Sequence, residues 1–146
     1  MLKKINLFLI IFISLFIVDQ YIKQIFVDGF VKHWECVSLT LAYNKGVAFS
    51  MFAFLADNLK YIQLSIFLFG IVYILKNKNI FFDYYIPLSL LFAGGLSNIY
   101  DRFHYEGVVD YVYWHCWFDF AIFNLADVLI DIAVVFILVI NYYKNK

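Results

Sequence analysis

The chain has 146 residues, of which 65% are hydrophobic and 23% are aromatic, and its mean hydropathy is +0.83. Soluble globular domains average about 45–50% apolar residues, so the composition indicates a single-domain integral membrane protein. Eleven basic and eleven acidic residues give a formal net charge of zero, which excludes a basic field for nucleic acid. The two cysteines, Cys36 and Cys116, form no C-x-x-C motif and are interpreted as packing residues, with no disulfide framework expected.

Four apolar stretches predict four transmembrane helices, at residues 5–27, 59–75, 84–100 and 125–143. The first is unbroken only over residues 5–18, short of the roughly 20 residues needed to cross a bilayer. Its extension admits Asp19 and Lys23, whose four-residue spacing predicts an ion pair with a structural role. A cleaved secretory signal peptide is the alternative, but no small-x-small cleavage site follows.

The third stretch carries two features that bear on helix packing. Pro87 lies in its first turn, where a missing N–H costs least. Gly94 and Gly95 permit another helix to approach closely, as small residues do in membranes.

The distribution of charge predicts the topology. Six lysines fall on one side of the four stretches, with Asp83 as the acidic residue there: Lys3, Lys4, Lys76, Lys78, Lys144 and Lys146. The positive-inside tendency then makes both termini cytoplasmic. The segments between the first and second stretches, and between the third and fourth, face outward.

The outward segment at residues 31–52 has a β pattern. VSLTLAY alternates, Asn44-Lys45-Gly46 supplies a turn, and VAFSMF resumes the pattern. The fold expected is therefore an all-α membrane protein of four transmembrane helices, with a small extracytoplasmic, cradle-like β-structure between helices 1 and 2. Residues 105–120 are expected to form a loop that closes with this β-structure over a site.

Polar residues form three clusters against the apolar background: YNKGVAFS with Asn44 and Gly46, GGLSNIYDRFHYEGVVD with Asn98, Asp101, Arg102 and Asp110, and FNLAD with Asn124 and Asp127. The predicted topology puts all three at the outer membrane face. Asn98 and Asp101 are three residues apart, as are Asn124 and Asp127, so each pair shares one face if helical. Polar groups at such a depth are usually functional or paired with one another.

Carboxylates that meet at a membrane surface suggest aspartyl-type hydrolysis. Two neighbouring carboxylates hold one proton between them, so that one activates water while the other protonates the scissile carbonyl. From the chemistry alone, any two of five residues could form the pair: Asp101, Asp110, Asp119, Asp127 and Asp131.

SLTLAYNKGVAFS, GGLSNIYDRFHYEGVVD and FNLAD, in that order among four apolar stretches, resemble the lipoprotein signal peptidases (signal peptidase II). The resemblance covers essentially the whole chain, including Asp19 and Lys23. It implies an aspartyl endopeptidase of the bacterial cytoplasmic membrane that removes signal peptides from prolipoproteins, cutting just before a diacylglyceryl-modified cysteine. The active site would face the extracytoplasmic side.

The resemblance also implies the roles of individual residues. Asp110 and Asp127 would be the catalytic pair. The residues that orient substrate or the pair would be Asn44, Gly46, Asn98, Asp101, Arg102 and Asn124. Arg102 is the candidate for binding substrate carbonyls, because its planar fork offers several donors. No cofactor is expected, the partners are the prolipoprotein substrate and membrane lipid, and the chain is expected to be a monomer.

Some residues depart from the family pattern or admit another interpretation. Ser97 replaces a frequent glycine and Ala121 a frequent proline; both are taken as small residues away from the chemistry. Asp131 has no transferable role: it either bonds within the bundle or perturbs Asp127. Asp101 and Arg102 could instead form a mutual structural salt bridge.

A metal site, an aromatic belt and a different function were each considered. His104, His115 and Cys116 lack the spacing of zinc ligands beside Asp110, so no metal site is predicted. Trp34, Trp114 and Trp117 are typical of an aromatic belt at the membrane interface. The alternative function is a small proton-coupled transporter or channel subunit, but that function favours carboxylates near the bilayer midplane.

Overall fold

The computed structural model of the chain describes residues 1–46 and 55–146. In that part of the chain the helices are α1 (Leu2–Val27), α2 (Ala56–Lys76), α3 (Lys78–His104) and α4 (Leu125–Lys144), and the strands are β1 (Lys32–His33), β2 (Val37–Asn44) and β3 (Val108–Trp114). Each of the four helices is long and apolar enough to cross a membrane. The four expected helices are therefore confirmed, and each contains the stretch predicted for it.

The surface of the bundle is apolar. Large side chains such as Phe69, Ile66 and Leu138 are 72%, 66% and 62% exposed. Many of the residues buried in the bundle are small or polar, such as Ala93, Ser97 and Ala133, and they lie beside a few larger apolar residues such as Leu88 and Ile99. This inversion is expected when lipid is the solvent, because lipid tails do not drive apolar side chains inward and small residues let the helices approach.

Helix α3 is kinked at Tyr84, whose φ of −122° and ψ of 19° are not helical. Pro87 explains the kink, because its ring would clash with the carbonyl of residue 83 in a straight helix. The kink coincides with the predicted start of the third span. The polar residues Lys76–Asn79 form the junction between α2 and α3, which breaks at Asn77.

The lysine-rich ends of the helices meet at one end of the bundle. The Lys4 ammonium donates to the carbonyl of Phe82, 2.8 Å away. Lys144 forms an ion pair with Asp83. We call this the lysine-rich end, and the opposite end, where the sheet lies, the site end.

At the site end, β1, β2 and β3 form an antiparallel sheet in that order. The small sheet expected after the first helix is thus present, but β3 was predicted as part of a loop, and that prediction is wrong. β3 pairs with β2 so that Ala42 is opposite Asp110 and Asn44 opposite Val108. The pairing is non-local, so no short sequence window shows it. The VAFSMF strand predicted after Gly46 lies outside the described residues.

Cys36 and Cys116 are joined by a disulfide across 80 residues of sequence. Their interpretation as packing residues is therefore wrong. The bond links the β1–β2 turn to the residue that follows β3 by two positions, and so ties the hairpin to the strand that carries Asp110. Beside it, the Ser38 hydroxyl lies within hydrogen-bond distance of His33 and His115, at 3.0 and 2.9 Å.

Candidate active site

Asp110 is brought into the site by β3. Its side chain is 1% exposed. One carboxylate oxygen accepts from the Asn124 side-chain amide at 2.7 Å, and the other accepts from the Asn44 amide at 3.1 Å. The pKa of Asp110 is raised to about 7, first by burial and then by the charge of Asp127, whereas the two hydrogen bonds act in the opposite direction.

Asp127 lies in the first turn of α4. One of its oxygens accepts from the Asn98 amide at 2.9 Å, and the other accepts from the backbone N–H of Asn124 at 3.1 Å. The Asn124 side chain accepts in turn from the backbone N–H of Asp127, which completes a capping box. Asn124 is the N-cap and has an extended backbone, so it meets Asp127 by capping and not by sharing a helical face.

Asn124 therefore contacts both carboxylates and is fully buried. Its amide also lies 3.2 Å from the Asn98 oxygen and from the Val109 carbonyl oxygen. The preceding residue, Phe123, pairs with Val112 of β3. This short pairing sets the N-terminus of α4 beside Asp110.

The first N–H groups of α4 are bound by side chains from three different elements. The N–H of Leu125 donates to the Tyr111 hydroxyl at 3.0 Å, and the N–H of Ala126 donates to Asp19 at 2.9 Å. Asn124 takes the N–H of Asp127 at 2.9 Å. Donors at a helix start have no partner within the helix, so α1, β3 and the N-cap together fix the position of Asp127.

Tyr111 connects β3 to α1 and α4. Its ring stacks on Phe26 of α1 with a centroid distance of 4.3 Å. Burial raises its pKa to about 12, so the hydroxyl keeps its proton. The sequence offered no signal for this residue, since one tyrosine among twelve carries no pattern.

A second polar cluster lies behind the carboxylates and is centred on Lys23. The Lys23 ammonium is 2.8 Å from Asp19 and 2.7 Å from Asp101, and all three side chains are at most 1% exposed. The predicted Asp19–Lys23 pair is present, but it is part of a larger group. Lys23 also donates to the Asn98 oxygen at 2.9 Å, so it contacts the residue that holds Asp127.

Asp101 positions β3. Besides the ion pair with Lys23, it accepts from Gln20 at 2.8 Å and from the backbone N–H of Val109 at 3.1 Å. Asn98 and Asp101 both contact Lys23, as expected for residues that share a helical face. The alternative of a mutual Asp101–Arg102 salt bridge is wrong, because Asp101 pairs with Lys23.

Arg102 points to the end of β2. Its two terminal nitrogens donate to the backbone carbonyls of Asn44 and Gly46. The Gly46 N–H donates to the Asn44 side chain at 3.0 Å, which forms the predicted turn. The guanidinium thus holds the strand end that presents the Asn44 amide to Asp110.

Sequence reasoning undervalued Ser97 and missed Gln20. Ser97 was taken as a small residue away from the chemistry, yet its hydroxyl donates to Asp19 and accepts from Gln20 at 2.7 Å. Gln20 bridges Ser97 and Asp101. A glutamine beside Asp19, one turn before Lys23 on the same helix, was the available signal.

Both carboxylates open on one cavity of about 630 Å³. α2, α3, α4, β3 and the segment before α4 all contribute to its wall, which includes Gln63, Asn98, Ala121, Ile130 and Asp131. Ala121, expected away from the chemistry, lies in this wall. Phe120, Ile122, Phe123 and Val128 make much of it apolar, which suits a ligand drawn from the bilayer.

Two of the residues considered as zinc ligands have other partners. Cys116 is bonded to Cys36, and His115 faces Ser38. In residues 1–46 and 55–146, no group of three or more histidine, cysteine or acidic side chains is placed to hold an ion.

Comparison with known proteins identifies the arrangement. A family model described as signal peptidase (SPase) II matches residues 11–143. The chain belongs to the signal peptidase II family. It is 57% identical over 130 residues to a lipoprotein signal peptidase of Sulfurimonas denitrificans, covering 88% of this chain and 83% of the relative. A second relative, from Wolinella succinogenes, is 52% identical over 93% of each chain.

Solved structures agree with this assignment. One bacterial membrane enzyme superposes with a TM-score of 0.83 at 27% identity, covering 97% of this chain and 91% of the other. Another gives a TM-score of 0.77 at 28% identity. The chain is thus a signal peptidase of aspartic type in a bacterial membrane, and the transporter alternative is not favoured.

Proposed function

We propose that Asp110 and Asp127 are the catalytic carboxylates with which this membrane peptidase removes signal peptides from prolipoproteins. The observation that carries the proposal is that two carboxylates from separate elements open on one cavity and share one bridging residue, Asn124. The raised pKa of Asp110 supports it, because a carboxyl that keeps its proton near neutral pH can act as a general acid.

In the proposed mechanism the two carboxyls hold one proton between them. The ionised member takes a proton from water, and the water oxygen attacks the scissile carbonyl. The protonated member donates its proton to the carbonyl oxygen, giving a tetrahedral intermediate. Collapse of the intermediate breaks the C–N bond. The leaving amine takes a proton from one carboxyl, while one hydroxyl of the intermediate gives its proton to the other carboxylate. This forms the new carboxylic acid and restores the shared proton of the pair.

The neighbouring polar residues act through this pair. Asn98 and Asn124 hold Asp127, while Asn44 holds Asp110. Arg102 and Gly46 act one step further out, since Arg102 fixes the strand end and the turn that carry Asn44. Asp101 fixes the β3 backbone beside Asp110. Asp19 and Lys23, both on α1, bind α4 and α3 respectively.

The substrate proposed is a prolipoprotein cut just before a diacylglyceryl-modified cysteine. A lipid-anchored substrate with an apolar signal helix reaches the site laterally, and the partly apolar cavity between α2 and α4 suits that path. We further propose that the protein acts as a monomer among membrane lipids, with both termini in the cytoplasm. The site would then face the extracytoplasmic side.

The test is processing of a synthetic diacylglycerylated prolipopeptide by purified protein, comparing wild type with Asp110→Asn and Asp127→Asn. Asparagine keeps the shape but cannot shuttle the proton, so each change is expected to lower kcat at least about a thousand-fold while circular dichroism and thermal unfolding stay near wild type. Asp119→Asn is the matched control, since Asp119 contacts Tyr113 outside the polar cluster. Turnover that survives in Asp110→Asn or in Asp127→Asn would contradict the assignment.

A further inference from the structure

Two polar side chains of the cavity wall have no place in the mechanism above. Gln63 is on α2 and Asp131 is on α4, and both line the cavity that holds the two carboxylates. The side-chain oxygen of Gln63 is buried and has no hydrogen-bond partner among the residues that the structure describes. Buried polar atoms are rarely left without a partner, so this oxygen needs an explanation.

The two residues lie at a similar depth. Gln63 is the eighth residue of α2 and Asp131 the seventh of α4, and both helices begin at the site end. At 1.5 Å per residue, each is about 10 Å below the start of its helix. Asp131 is one turn, about 6 Å, deeper in the membrane than Asp127.

A substrate cut at the carboxylates has chain at this depth. A transmembrane helix bonds its backbone N–H groups internally, but a peptide must be unwound where a peptidase cuts it. Unwound backbone in a bilayer is tolerated only where its polar groups find partners. The signal-peptide residues just before the scissile bond therefore bring unpaired N–H groups to the depth of Gln63 and Asp131.

Hydrogen-bond chemistry separates the peptide from the lipid. The Gln63 oxygen is an acceptor, and a carboxyl accepts in either protonation state. A diacylglyceryl group offers a thioether and two esters, which contain no N–H or O–H donor. The unpartnered Gln63 oxygen needs a donor, which a peptide N–H supplies and the diacylglyceryl group does not.

We propose that Gln63 and Asp131 form an acceptor subsite for the backbone N–H groups of the signal-peptide residues that precede the scissile bond. The inference rests on the proposed function. It makes these residues binding residues for an unwound peptide, distinct from the pair that cuts it. It also gives Asp131 a role in substrate binding, which differs from the two alternatives considered from the sequence, bonding within the bundle and perturbing Asp127.

The experiment uses the purified full chain in lipid and synthetic diacylglycerylated substrates in which one amide before the cleavage point is replaced by an ester. Each ester removes a single N–H. At one or two positions, wild type is expected to lose about three- to ten-fold in kcat/KM, mainly through KM, as for one hydrogen bond. Gln63→Met is expected to show a similar loss with the all-amide substrate.

The decisive result is coupling between the two changes. One ester substrate lacks the N–H that binds Gln63. For the Gln63→Met variant, kcat/KM on this ester should be no lower than on the all-amide substrate. Gln63→Glu and Asp131→Asn keep an acceptor oxygen and should keep the wild-type profile, while Asp131→Leu should lose the response at its own position. Gln24→Met is the matched control, because Gln24 is exposed and bonds to Asp28.

The outcomes separate this inference from the proposed function. Suppose that wild type cuts the all-amide substrate, but that the losses in kcat/KM from the side-chain change and from the ester multiply at every position. The acceptor subsite is then wrong and the catalytic proposal stands. If the ester series has no effect on wild type, the subsite is equally wrong. If wild type cuts no substrate, both proposals fail.

Discussion

At the scale of single residues, polar side chains in this membrane protein satisfy one another in a chain that ends at the carboxylates. Lys23 joins two acidic residues to Asn98, and Asn98 holds Asp127. Asn44 and Asn124 do the same for Asp110. Because most of these side chains are buried, each link replaces solvation that the side chain would lose.

The pH dependence of turnover follows from Asp110. Its pKa is about 7, so kcat is expected to fall as the pH rises past about 7 and the pair loses its shared proton. The hydrogen bond from Asn44 lowers this pKa, so Asn44→Ala should raise it and move the alkaline limb to higher pH. A pH–kcat profile of both proteins tests this, with Asn77→Ala at the lysine-rich end as control. A limb that stays in place or moves down contradicts the prediction.

The buried Lys23 is expected to contribute much more to the free energy of unfolding than an exposed lysine does. Lys23→Met leaves Asp19 and Asp101 buried without their cation, which should lower the free energy of unfolding by about 3–5 kcal/mol. Lys45→Met removes the exposed Lys45–Glu106 pair and should cost less than about 1 kcal/mol. Unfolding in detergent, followed by tryptophan fluorescence, compares them. Equal losses of unfolding free energy in the two variants would contradict this prediction.

At the scale of elements, the N-terminus of α4 holds the site together. Its capping residues come from α1, from β3 and from the residue before the helix. The pattern N-x-x-D in FNLAD is a capping signature that sequence analysis treated as a shared face. The extended backbone of Asn124 could be inferred from that motif, but the partners Asp19 and Tyr111 could not, since they are distant in sequence.

The packing of α3 on α4 yields a matched pair of variants. A Cβ on Gly94 would overlap the carbonyl oxygen of Ala126, in the first turn of α4, whereas a Cβ on Gly95 would meet Phe67 at an ordinary 3.7 Å. Gly94→Ala is expected to destabilise the protein by about 1–3 kcal/mol and to lower kcat. Gly95→Ala should be neutral or slightly stabilising, because alanine favours helix. Detergent unfolding and turnover of both variants check this, and equal tolerance would contradict it.

At the scale of the whole molecule, sequence predicted what is local and missed what is distant. The four helices followed from apolar length, and the three polar clusters followed from charged and amide residues in an apolar chain. β3, the disulfide and the Ser97–Gln20 contacts join residues that are 64 to 80 positions apart. No spacing rule within one stretch reveals such partners.

The disulfide gives a test of the proposed topology. Disulfides persist in oxidising compartments, so the sheet should lie outside the cytoplasm. In intact cells, a membrane-impermeant maleimide should label nothing before reduction and both Cys36 and Cys116 after it. A cysteine introduced at Lys146, in a chain lacking the other two, should stay unlabelled until the membrane is opened. Labelling of that C-terminal thiol in intact cells would reverse the topology.

The bond between Asp19 and the N–H of Ala126 spans 107 positions of the chain. Since a chain is synthesised from its N-terminus, this bond can form only after the start of α4 has been made. Until then Asp19 lacks the backbone N–H of Ala126 that it binds, and the N-terminus of α4, which carries Asp127, is not yet fixed against α1. We therefore expect a partly synthesised chain to have no peptidase activity, because its two carboxylates are not yet positioned together.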